Sequence, residues 1–138
     1  MEIRRYDKTL DEQNVMEFLH DEGDEWICYW GKEHADMYRN ALAQSITYVA
    51  YEGNQLCAYV RSLNDCGFYV YVCDLLVRKA DRGNQIGRKL MENIVDDYPN
   101  QTVYVMSDVD EYYTKQGYHR EGSVFEVVKR VDRAETIE

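Results

Sequence analysis

The sequence predicts an α/β (α+β) fold: a mixed, mostly antiparallel sheet flanked by helices, with one βαβ unit at its centre. Three observations predict it. Residues 45–77, "SITYVAYEGNQLCAYVRSLNDCGFYVYVCDLLV", are three β-branched and aromatic runs separated by turn-forming Gly53-Asn54 and by Asn64-Asp65 with Gly67, the pattern of an antiparallel meander. Ile86, Leu90, Met91, Ile94 and Val95 then recur at the spacing of a helix that packs one face on a sheet. "QTVYVMS" follows as a further strand, so the segment from Phe68 to Met106 reads strand–helix–strand, whose two strands lie parallel through a right-handed crossover.

The remaining elements fall around this centre. "EIRRY" at 2–6 has the alternation of a short first strand. Thr9 and Glu12 have the spacing of a capping box opening a helix whose apolar face carries Val15, Phe18 and Leu19. A second helix is expected over 32–44, where Ala35, Tyr38 and Leu42 share a face. After the βαβ unit, "DVDEYYTKQG" reads as a short helix closed by Gly117, and "SVFEVVKRV" as a final strand. There is no repeat, one proline (Pro99) and no linker-like stretch, so residues 1–138 are expected to form one domain.

Composition excludes several functions. The formal net charge of −10 disfavours a nucleic-acid surface, which needs clustered lysine and arginine, and suits a cationic small molecule or basic peptide. No apolar run approaches the roughly 20 residues that span a bilayer, and "MEIRRYDKTLDEQ" has no apolar signal core, so a cytoplasmic protein without membrane attachment is expected. Cys28, Cys57, Cys66 and Cys73 form no CxxC pair, and His20, His34 and His119 stand at no ligand spacing from them; reduced thiols and no metal are expected.

The candidate chemistry lies in "DRGNQIGRKL" at 81–90, where the long strand ends and the amphipathic helix begins, the place at which such sheets bind ligands. It is no Walker A loop: only three residues separate Gly83 from Gly87, and Lys89 is followed by Leu90. A dinucleotide GxGxxG is absent too. What remains is a small-residue turn able to aim N–H groups, a helix amino end and the charges of Arg82 and Arg88 at one anion.

"LLVRKADRGNQIGRKLM" resembles the acetyl-CoA-binding segment of the GCN5-related N-acetyltransferase (GNAT) superfamily, Arg/Gln-x-x-Gly-x-Gly/Ala after a strand. Arg82 and Gly87 match its outer positions, and Gln85 replaces its middle glycine. Downstream, "EYYTKQGYHREG" is similar to the family's FYxKxGF segment, with Tyr113 at the tyrosine and Gly117-Tyr118 at Gly-Phe. The two segments occur in the family's order, and the element order resembles its fold over nearly the whole chain.

The resemblance implies acetyl-CoA as cosubstrate and an acetyl transfer to an amine. It implies that Arg82, Gly83, Asn84, Gln85, Ile86, Gly87 and Arg88 hold the pyrophosphate, and that main-chain groups of Leu75, Leu76 and Val77 hold the pantetheine as an added strand would. Tyr113 would donate a proton to the leaving thiolate, with Tyr112 as its neighbouring fallback; the alternative reading of Tyr113 is that it packs the short helix onto the sheet. Relatives often use an acid on the strand before the loop as general base, which points to Asp74, although a structural carboxylate would also sit there; alternation separates Asp74 from Cys73, and a bulge would swap their faces. The acceptor would meet the loop between the first two helices, "HDEGDEWICYWG", where Trp26, Tyr29 and Trp30 beside acids suit a cationic amine through cation–π contact, or else anchor the core. A homodimer is implied by resemblance alone. Two other readings stay open: a silent acyl-CoA-binding regulatory module, and an interaction domain whose glycine-rich turn is only a connector.

Overall fold

A computed structural model describes residues 1–107 and 109–130 of the chain. They fall in two compact units, Met1–Met106 and the segment from Ser107 onward. In the first unit the order is β1 (Glu2–Arg5), α1 (Lys8–Glu22), a 3₁₀ turn (Asp24–Trp26), α2 (Ile27–Trp30), α3 (Ala35–Gln44), β2 (Ile46–Glu52), β3 (Gln55–Asn64), β4 (Tyr69–Val77), a second 3₁₀ turn (Lys79–Asp81), α4 (Ile86–Asp97) and β5 (Thr102–Val105). The strands form one sheet in the order β1-β2-β3-β4-β5, antiparallel except for the parallel β4–β5 pair, as the meander and the βαβ pattern require.

The two faces are covered differently. Val15, Phe18 and Leu19 of α1 and Tyr38 and Leu42 of α3 bury against Val49, Tyr59 and Leu76 of the sheet. On the other face α4 buries Ile86, Leu90, Met91 and Ile94, and Tyr48 donates a short hydrogen bond to its Asp97. No helix among the described residues is long and apolar enough to cross a membrane.

Helix α1 begins differently from the sequence reading. Asp7 is its cap, accepting from the N–H groups of Thr9 and Leu10 at 2.9 and 3.2 Å, and Thr9 and Glu12 lie inside the first turns. The chain enters the helix two residues earlier, because Asp7 offers the carboxylate where the free N–H groups are. Asp11 is therefore drawn inward, where Arg4 holds it bidentately at 2.7 and 2.7 Å.

The second unit holds α5 (Asp110–Lys115), closed at Gly117 (φ +87°) as its sequence suggests. The expected final strand does not form over its described part, residues 123–130, where Phe125 and Val127 are 83% and 94% exposed. Its last residue, Val131, lies outside the described residues. Alternating Val and Phe record a capacity to pair, and a strand exists only where a partner edge supplies the hydrogen bonds.

Candidate active site

Strand β4 builds the centre of the site through one irregularity. Its partners on β3 run Asn64–Val70, Leu63–Tyr71, Ser62–Val72, then Arg61–Asp74, so Cys73 is a bulge with no partner of its own. Before the bulge the odd-numbered Tyr69 and Tyr71 share the face covered elsewhere by α1 and α3; after it the even-numbered Asp74 and Leu76 do. The bulge thus carries Asp74 under the helices, beside Arg61.

There the carboxylate has three hydrogen-bond donors. It accepts from Arg61 Nε at 2.6 Å, Tyr38 Oη at 2.7 Å and Tyr29 Oη at 3.1 Å, while Tyr38 shares a 2.8 Å hydrogen bond with Tyr59. Burial alone would depress the Arg61 guanidinium, but the charge and hydrogen bond of Asp74 outweigh it and hold it above its ordinary value. Tyr29, Tyr38 and Tyr59 are pushed well above the ordinary phenol range, first by burial, so they act as neutral donors.

The expected acceptor residues divide. Trp26, Tyr29 and Trp30 are partly buried and pack on the core; Trp30 Nε1 donates to Gly23 O at 3.1 Å and its ring meets His20 at 4.4 Å between centroids. Only Tyr29 reaches the Asp74 carboxylate. Arg61, Tyr38 and Tyr59 were not anticipated. The available signal was Arg61 itself, the one basic residue inside an apolar strand, opposite the one acid in the next.

Beyond the bulge β4 parts from β5. The parallel pairing ends at Val72–Val105, where Met106 N–H closes on Val72 O at 3.1 Å. From Asp74 to Val77 β4 is paired with β3 alone among the described residues, so its other edge faces outward at Leu75, Leu76 and Val77. The side chain of Leu76 is buried, and those of Leu75 and Val77 are half-buried.

The edge leads directly into the glycine-containing turn. Gly83 has φ +88°, and Gln85 adopts φ +64°, ψ +19°, the left-handed conformation, at the head of α4. No described side chain caps that helix. Gly83, Asn84 and Gln85 are exposed, and Ile86 and Gly87 are buried. Arg82 donates to Val77 O at 2.9 Å and pairs with Glu22 at 3.5 Å; Arg88 pairs with Glu92 at 2.8 Å. Tyr113 lies in α5 of the second unit, its ring stacked on Tyr118 at 6.1 Å and 17°.

An open strand edge running into an uncapped helix amino end fits a thioester cosubstrate that has an amide-bearing arm and a pyrophosphate. The family comparison agrees: the model of the acetyltransferase (GNAT) domain matches residues 8–129. The chain belongs to the GNAT acetyltransferase family. Among solved structures, this GNAT chain is similar to an aminoglycoside acetyltransferase from an uncultured soil metagenomic sample (17% identity, 94% of this chain and 98% of that one, TM-score 0.72). It is similar also to the ribosomal-protein-alanine N-acetyltransferase of Brucella melitensis biovar Abortus 2308 (14%, 93% and 98%, 0.70) and to glucosamine-6-phosphate N-acetyltransferase from Arabidopsis thaliana (18%, 95% and 98%, 0.64). At these identities the likeness is one of fold. No curated protein matches the chain.

Proposed function

We propose that this acetyltransferase moves the acetyl group of acetyl-CoA to a primary amine by direct attack within a ternary complex. The observation that carries the reading is the parting of β4 from β5 after Val72, which leaves that edge of Leu75–Val77 without a strand partner among the described residues, beside the turn at 82–88. In this reading those groups bind the cosubstrate's arm, and an N–H among them polarises the thioester carbonyl. The N–H groups from Gly83 to Arg88 and the amino end of α4 take the pyrophosphate, with Arg82 and Arg88 exchanging their carboxylate partners for phosphate oxygens.

The nitrogen–carbon bond forms as the carbon–sulfur bond breaks, one proton leaves the amine and one reaches the thiolate. The amine, with an ordinary pKa of roughly 10.4, must arrive deprotonated or lose its proton at the site. Asp74 is the acid placed to draw the ammonium in and to accept its proton, and Tyr29 Oη, hydrogen-bonded to it, is the group through which that proton would pass. Tyr113 is the donor to the thiolate.

A panel of primary amines with acetyl-CoA and thiol detection tests the reading; thiol release with no amine of the panel would refute it. For the donor, Tyr113→Phe should lower kcat by about 10²-fold with acetyl-CoA affinity nearly unchanged. Undiminished turnover would remove Tyr113 from the mechanism.

A further inference from the structure

Next to Asp74, on the same face of the sheet, lies an aromatic surface outside the core that α1 and α3 cover. Leu63 and Arg61 are two residues apart on β3, so their partners Tyr71 and Asp74 are neighbours on that face, about 7 Å apart by strand rise. Tyr71 continues into Tyr104 of β5, its register partner, with ring centroids at 5.9 Å and an angle of 28°. Tyr69 meets both rings, at 5.9 and 5.4 Å, and Phe68 extends the row at 5.2 Å from Tyr69. Phe68 is 72% exposed and Tyr71 41%.

Three of these rings, Tyr69, Tyr71 and Tyr104, contact one another and are carried by β4 and β5, with Phe68 beside them in the preceding turn, so a ligand ring can stack on them at small entropic cost. The row begins beside the Asp74 carboxylate and carries no charged side chain of its own; Asp65 stands at its far end, in the β3–β4 turn. Such a surface suits a molecule with a charge at one end and an apolar plane behind it. A chain of several ammonium groups would need carboxylates spaced along it.

We propose that this row seats the body of the acceptor, and that the acceptor is an aralkylamine: a primary amine joined by a short linker to an aromatic ring. The inference rests on the acetyl-transfer reading above and narrows its substrate class. The amine enters at Asp74 and Tyr29, and the ring lies over Tyr71 and Tyr104.

The test compares phenethylamine, n-butylamine and spermidine, by thiol release and by direct calorimetric titration. Phenethylamine should exceed n-butylamine in kcat/KM by about tenfold, the size of one stacked-ring contact with its buried area. Tyr71→Ala and Tyr104→Ala, at the surface of the sheet, should raise its KM by a similar factor, with kcat, acetyl-CoA affinity and the circular dichroism spectrum unchanged. Tyr71→Phe should restore the wild-type KM. Preference for spermidine, or alanine variants with unchanged KM, overturns the proposal, as does a dimer that Tyr71→Ala converts to monomer, since a second copy would then cover the row. Should no amine be acetylated while phenethylamine binds in a Tyr71-dependent way, the row stands and the acetyl-transfer reading falls. Acetylation without ring preference gives the reverse.

Discussion

Gln85 occupies a conformation that side chains resist. At φ +64° and ψ +19° its Cβ crowds the following carbonyl, a strain of about 1–2 kcal/mol that glycine would escape. The strain persists because the chain must reverse between Gly83 and the first turn of α4. Replacing Gln85 with glycine relieves it but gives the unfolded chain more freedom, worth about 0.5–1 kcal/mol in the opposite direction. The expected outcome for Gln85→Gly is an unchanged or slightly raised stability, by up to about 1 kcal/mol in urea denaturation, with acetyl-CoA binding retained. Gln85→Val should lose both, because a β-branched residue tolerates this region worst. A glycine variant less stable than the parent would show that the glutamine side chain, not its backbone, matters here.

At the level of the element, β4 explains why the site was partly readable. Its apolar run, the turn after it and the helix stripe from Ile86 to Ile94 depend on local chemistry, and each appears where the sequence places it, whereas Val95, expected on the same stripe, is 50% exposed. The bulge at Cys73 depends on how β3 and β4 settle their register, which no short stretch of residues declares. Asp74 could therefore be named as a candidate, whereas its partners Arg61, Tyr38 and Tyr59 come from β3 and α3 and meet it only in the folded sheet. The final strand failed for the related reason that pairing is a property of two segments. The Asp74–Arg61 pair should be a stabilising element of β4 as well as part of the site. Arg61 is 15% exposed and Asp74 3%, so Asp74→Asn strands a guanidinium with little water. The loss should be about 2–3 kcal/mol, below the 3–5 typical of a fully buried pair, since Ser45 Oγ still accepts from Arg61 Nη1 at 3.3 Å. Adding Arg61→Met should recover part of it in a double-mutant cycle. Additive losses would mean that the two residues act separately.

Taken as a whole, the molecule is acidic outside and rich in tyrosine within, and the two properties combine at high pH. Tyr38, Tyr48 and Tyr59 are 6%, 1% and 0% exposed. Burial first, then the neighbouring Tyr59 and Asp74 for Tyr38 and nearby carboxylates for the other two, push their phenols above the ordinary value near 10; Tyr6, partly buried, is pushed up to about 12. A raised folded-state pKa means that the native chain keeps protons the unfolded chain has given up. The stabilisation is therefore complete below pH 10 or so and falls as pH climbs towards the folded values. Three buried phenols together remove about 4 kcal/mol per pH unit in that window, against a total stability on the order of 5–15 kcal/mol. The formal charge of −10 compounds the loss, because each new tyrosinate joins an already negative surface. Thermal denaturation followed across pH should show a melting temperature nearly flat from pH 7 to about 9.5 and a steep fall above pH 10. Tyrosinate absorbance from the buried rings should rise together with loss of the near-ultraviolet circular dichroism. Smooth ionisation of all tyrosines around pH 10 with native dichroism intact would mean that these hydroxyls exchange freely with water and that the tyrosine network under α3 is not closed.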